Sequence, residues 1–114
     1  MRGQFSNQDR LRWQGAANAA VARFLSDAAA RDLPAVVWTI QVTGEIAGQV
    51  PFASTREEQH AAFDAWTRYL LAAPVRHTGP DGTVHLYAKF EKSDTVRGVI
   101  RAAIAPEFDG GERS

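Results

Sequence analysis

From about Gln8 to Arg31, apolar residues recur at steps of three and four: Trp13, Ala16, Ala17, Ala20, Val21, Phe24, Leu25 and Ala28. That spacing predicts one stripe of an amphipathic helix. Asp9 near its start and Arg31 near its end suit the helix dipole. Leu33-Pro34 stops it, because proline disfavours helical backbone in the residue before it. From Ala35 the period becomes two. Val36, Trp38, Ile40 and Val42 alternate with Val37, Thr39, Gln41 and Thr43, as in a strand with one buried face. Thr43-Gly44-Glu45 reads as a tight reversal, and Ile46, Gly48 and Val50 as a return strand ended by Pro51.

Ser54-Thr55-Arg56-Glu57-Glu58 holds two overlapping capping boxes, Ser54 with Glu57 or Thr55 with Glu58. Behind them Gln59, Ala62, Phe63, Trp66, Tyr69, Leu70 and Ala73 form a second amphipathic stripe, closed by Pro74. Val75–Thr78 leads into Gly79-Pro80-Asp81-Gly82, a turn in which proline pre-sets φ and Gly82 supplies the left-handed position. Val84, Leu86, Ala88 and Phe90 then alternate with His85, Tyr87, Lys89 and Glu91 in a further strand. The stretch Thr95–Ala105 fits two periods. Val96, Val99, Ile100, Ala103 and Ile104 suit a helix capped by Ser93 or Asp94, and Val96, Gly98, Ile100, Ala102 and Ile104 suit a strand. Gly98 costs a helix about 1 kcal/mol relative to alanine, and Val and Ile favour a pleated surface, so the expectation is a strand.

The order is therefore α-β-β-α-β-β-β: an α+β fold, a mainly antiparallel sheet with both helices packed on one face. The expected core is Trp13, Phe24, Trp38, Phe63, Trp66 and Phe90. At 114 residues the chain has the length of one domain, expected over 8–106 with flexible ends at 1–7 and 107–114.

Composition narrows the functional classes. Thirteen basic and 13 acidic residues cancel, which removes the surplus of cations that non-specific nucleic-acid or anionic-membrane binding uses. The absence of cysteine excludes disulfides, thiolate metal sites and thiol nucleophiles. No apolar run approaches the ~20 residues of a membrane span, and the first residues lack the apolar segment of a secretory signal. The expected setting is cytoplasmic. Arginine supplies all the basic residues except Lys89 and Lys92, a bias that most simply reports a GC-rich coding genome.

Catalytic groupings are sparse. His60 stands three residues after Glu57 and four before Asp64, so the three share one side of a helix. A di-iron bundle built from Glu-x-x-His needs a second copy of that motif, and the chain has none. His77 and His85 flank the Gly79–Gly82 turn. They oppose each other if Pro80-Asp81-Gly82 forms a three-residue loop, and His85 faces Arg76 if the loop is Pro80-Asp81 alone. Two imidazoles without a third ligand make a weak metal site. No nucleophile elbow, phosphate loop or carboxylate pair is present, so no catalytic residue, metal or cofactor is expected.

The sheet face opposite the helices offers more. It should carry Val37, Thr39, Gln41, Ala47, Gln49, His85, Tyr87, Lys89, Arg97, Val99 and Arg101. Tyr and Arg among aliphatic residues are typical of protein contacts, and the partner-binding set is taken as Val37, Thr39, Gln41, His85, Tyr87, Lys89, Arg97 and Arg101. The expected role is a non-catalytic protein-interaction or self-associating module. The alternatives are a nucleic-acid platform on the same face, and a small ligand-binding protein or enzyme with its pocket near Trp38 and Trp66. The run Leu33-Pro34-Ala35-Val36-Val37-Trp38-Thr39-Ile40, the helix with Phe63-Asp64-Ala65-Trp66 and the strand Gly82-Thr83-Val84-His85-Leu86 together resemble small actinobacterial α+β proteins without an assigned function. The resemblance implies a bacterial cytoplasmic setting and a strand at Thr95–Ala105, and no site residues.

Overall fold

The computed structural model describes residues 6–52 and 55–106. Two helices lie on one face of a five-stranded sheet: α1 (Asn7–Arg31), β1 (Val37–Ile40), β2 (Ile46–Gln49), α2 (Arg56–Leu70), β3 (Ala73–Thr78), β4 (Val84–Glu91) and β5 (Arg97–Ile104). The sheet order is β1-β2-β5-β4-β3. All neighbours run antiparallel except β2 and β5, which pair in parallel from Ile46–Gly98 to Gln49–Arg101. The C-terminal strand is thus the strand that the β-propensity of its Val and Ile residues favours, and it forms an eight-residue ladder with β4.

Both helices begin with reciprocal capping boxes. In α1 the Ser6 hydroxyl accepts from the Asp9 amide and the Asp9 carboxylate from the Ser6 amide. In α2 Thr55 and Glu58 do the same; the competing Ser54 lies outside the described residues. Such a cap contributes about 1 kcal/mol. Ser6 and Asn7, expected in a flexible head, belong instead to the start of α1; residues 1–5 and 107–114 of the expected flexible ends lie outside the described residues. Both helices end on a non-glycine residue in left-handed backbone, Asp32 (φ 58°) and Leu71 (φ 57°). The amides of Leu33 and Ala72 then close back on the carbonyls of Ala28 and Thr67. This earlier ending corrects the expectation that α2 runs through Ala73: Ala73 and Pro74 open β3, an edge strand, where proline's missing amide is tolerated.

The core lies between the helices and the even-numbered residues of β4 and β5. Phe63, Trp66, Ile46, Ile100 and Ile104 are fully buried. Trp66 Nε1 donates to the Pro34 carbonyl at 2.7 Å, and its ring meets Trp38 at 5.2 Å, edge to face. Phe24 joins Trp38, Phe90 and Tyr69. Trp13 departs from the expected core. It lies on the N-terminal part of α1, with its Cβ and backbone against Gly44, whose φ is 85°, and is only half-buried. Leu25, expected on the buried stripe, is exposed.

Candidate functional site

Because β-strand side chains alternate, the face of the sheet away from the helices collects the odd-numbered residues of all five strands, and the register sets them in rows. One row runs Val37–Gln49–Arg101–Tyr87–Val75 across all five strands. The next runs Thr39–Ala47–Val99–Lys89–Ala73. Beyond it Arg97 pairs with Glu91, and Glu45, one residue before the Ile46–Gly98 pair, falls level with them. At the opposite end Ala103, His85 and His77 line up.

Seven of the eight residues expected to bind a partner therefore share this face: Val37, Thr39, His85, Tyr87, Lys89, Arg97 and Arg101, all exposed. Gln41 lies just past the end of β1 in the turn, where its amide donates to the Glu45 carbonyl and its carbonyl accepts from the Gly44 amide, both at 2.8 Å. It borders the same surface through a hollow it shares with Thr43, Ala47, Val99 and Arg101. Val99 is buried although it stands outside the helix-side core, because its neighbours rise around it. The result is a concavity of about 520 Å³ with Gln49, His85, Tyr87, Lys89 and Arg101 on its walls. Val75 and His77 extend the surface onto β3. The sequence reading counts Val75–Thr78 as the strand leading into the turn but leaves Val75 and His77 out of the open-face set, although the alternation Ala73, Val75, His77 matches that of β4.

The loop after β3 takes the three-residue form, with His77 opposite His85 and their ring centres 6.3 Å apart. Asp81 holds the turn: its carboxylate accepts from the Thr83 amide and hydroxyl, each at 3.0 Å. Those bonds, the backbone one first, hold its pKa below the ordinary carboxylate value. The carboxylate is engaged in the turn and does not complete a ligand set with the histidines. Glu57, His60 and Asp64 do lie together, around a shallow hollow at α2 that they share with Arg56. Among the described residues no three His, Asp or Glu side chains stand close enough to hold a metal ion, and no helix is long and apolar enough to cross a membrane.

The region near Trp38 and Trp66, expected as the place for a ligand pocket, is filled by the two rings themselves. Trp66 is 1% exposed, and Trp38 Nε1 is buried with no hydrogen-bond partner among the described residues. Comparison with protein-family models, curated proteins and solved structures returned no match, so the functional argument rests on the residues themselves.

Proposed function

We propose that the protein is a non-catalytic interaction module that associates with a second copy of itself through the open face of the sheet. The observation that carries this reading is the nearly charge-balanced, partly apolar face that both helices leave uncovered. Val37 and Val75 are 57% and 44% exposed on either side of Tyr87 and Arg101. Lys89, Arg97 and Arg101 give three positive charges there and Glu45 and Glu91 two negative ones, a balance of 3 − 2 = +1.

A self-docking surface must be complementary to its own rotated image. A two-fold axis lying across the strands sets the Glu45–Glu91 end of one face over the His77–His85 end of the other. Five strands about 4.8 Å apart and up to eight residues of about 3.3 Å give a face of roughly 600 Å². That is somewhat below the ~800 Å² per partner of a standard interface, so the association is weak and reversible. A polyanion would meet a single excess positive charge and one aromatic ring, a poor match to the cationic, multi-aromatic platforms that bind single strands.

Sedimentation velocity from low micromolar to near-millimolar protein tests the proposal. The parent chain is expected to shift toward dimer, and Tyr87→Arg and Arg101→Glu to keep it monomeric with unchanged folding. A monomer at every concentration overturns the reading. So does binding of a labelled single strand that weakens steeply with salt, which transfers the face to nucleic acid.

A further inference from the structure

On the helix side of the sheet, remote from the face discussed above, α1 and the turn after β4 bound a cleft of about 570 Å³, within the range of small-molecule sites. Its apolar floor is built by Phe24 and Val96, and Ala16, Ala19 and Ala20 leave the α1 wall low. Its rim is charged. Arg23, Asp27 and Arg31 succeed one another at four-residue steps along α1, and Lys92 faces them from the turn. That turn is tied by the Lys92 amide donating to the Val96 carbonyl at 2.7 Å, which fixes the point from which Lys92 reaches.

Tyr69, from α2, organises the rim. Its hydroxyl donates to the Asp27 carboxylate, and the Arg31 guanidinium lies 5.4 Å from the centre of its ring. Burial first, and then the Asp27 hydrogen bond and charge, push the Tyr69 phenol up to about 12, while Arg31 and Arg23 pull the other way. Asp27 spends an oxygen on the phenol and pairs with neither arginine. Arg23, Arg31 and Lys92 have no ion-pair partner among the described residues. Three cations against one carboxylate, 3 − 1 = +2, thus border one apolar cleft in a chain whose charges cancel overall.

The geometry points to a binding site for a small organic carboxylate with an apolar body, its ring or chain on Phe24 and Val96 and its carboxylate between Arg23 and Lys92. Desolvated apolar surface supplies attraction, and charge-assisted hydrogen bonds supply the choice of an anion. Inorganic anions leave the floor uncovered, and neutral hydrophobes leave the cations unanswered.

Amide chemical-shift titration of the full chain with 2-naphthoate and with uncharged 2-naphthalenemethanol separates these cases. The expected result is saturable shifts at Ala20, Tyr69 and Val96 with naphthoate, and binding of the alcohol about tenfold or more weaker. The double variant Arg23→Gln, Lys92→Gln should lose about tenfold or more in naphthoate affinity with an unchanged melting temperature. Equal affinity for acid and alcohol, equal affinity of parent and double variant, shifts confined to Val37, Tyr87 and their neighbours on the open sheet face, or no saturable shift at all would each overturn the assignment. None of these readouts depends on whether the chain self-associates.

Discussion

Gly98 and Gly15 invite the same substitution with opposite outcomes. A Cβ built on Gly98 falls 2.0 Å from the Ile46 carbonyl oxygen and 2.8 Å from its carbon. A close carbon–oxygen contact between strands is about 3.3 Å or more, so the carbonyl would have to retreat by roughly 1.3 Å. Both obstacles are backbone, and Ile46 is fully buried, so no side chain can swing away. The clash falls on the first rung of the β2–β5 pairing, the junction that joins the β1–β2 hairpin to the rest of the sheet. Leaving one or two buried backbone groups unpaired costs about 1–3 kcal/mol each, and overpacking adds about 1–3 kcal/mol. Gly98→Ala is therefore expected to destabilise by about 3–5 kcal/mol. Gly15 is exposed in α1 with nothing within 4 Å of the added atom, and Gly15→Ala should stabilise by about 0.5–1 kcal/mol through helix propensity alone. Urea unfolding followed by tryptophan fluorescence reads both. With a slope near 1.5 kcal/mol per M, the Gly98 variant's midpoint should fall by about 2–3 M and the Gly15 variant's should rise slightly. A Gly98→Ala protein within 1 kcal/mol of the parent would refute the steric account of that junction.

Three further expectations follow from the same packing. Leu71 is 86% exposed in left-handed backbone, so Leu71→Gly should raise stability by about 0.5–1 kcal/mol, seen as a melting point several degrees higher. Trp66→Ala should cost about 3–5 kcal/mol in the same urea assay, whereas Trp66→Phe, which mainly gives up the bond to Pro34 and part of the ring, should cost less than half of that. The phenolate absorbance of Tyr69 should appear only near pH 12; because the folded state holds this proton more tightly than the unfolded chain, its contribution is intact below about pH 10 and lost as pH rises toward 12. Asp27→Ala should bring that midpoint down without restoring the ordinary value, since burial is the larger cause.

How much of this was legible in the sequence depends on the range of the interaction involved. Alternation along Val84–Glu91 marked β4 and its two faces residue by residue, and the helical stripes placed Phe24, Phe63 and Trp66 in the core. Local spacing left Thr95–Ala105 between two periods, and the ladder with β4 decides for the strand. There Gly98, which the sequence marks as a strand position and a penalty on a helix, proves necessary for close backbone approach. Trp13 satisfied the stripe yet missed the core, because α1 is 25 residues long and its N-terminal part reaches the β1–β2 turn. Of the open face, the strand period placed seven of the eight expected residues; Gln41 fell outside because β1 ends at Ile40. The cleft had no local signature. Asp27 and Tyr69 stand 42 positions apart, and only tertiary packing brings them together.

The single parallel rung set has a consequence for biosynthesis. Ile46 waits for Gly98, more than fifty positions later, whereas the three antiparallel pairs join strands adjacent in sequence and can zip as soon as each is made. On the ribosome the first hairpin therefore emerges with a raw inner edge that stays unsatisfied until β5 has been translated. The four-residue length of β2 keeps that edge short, which limits the surface available for mispairing with another nascent chain.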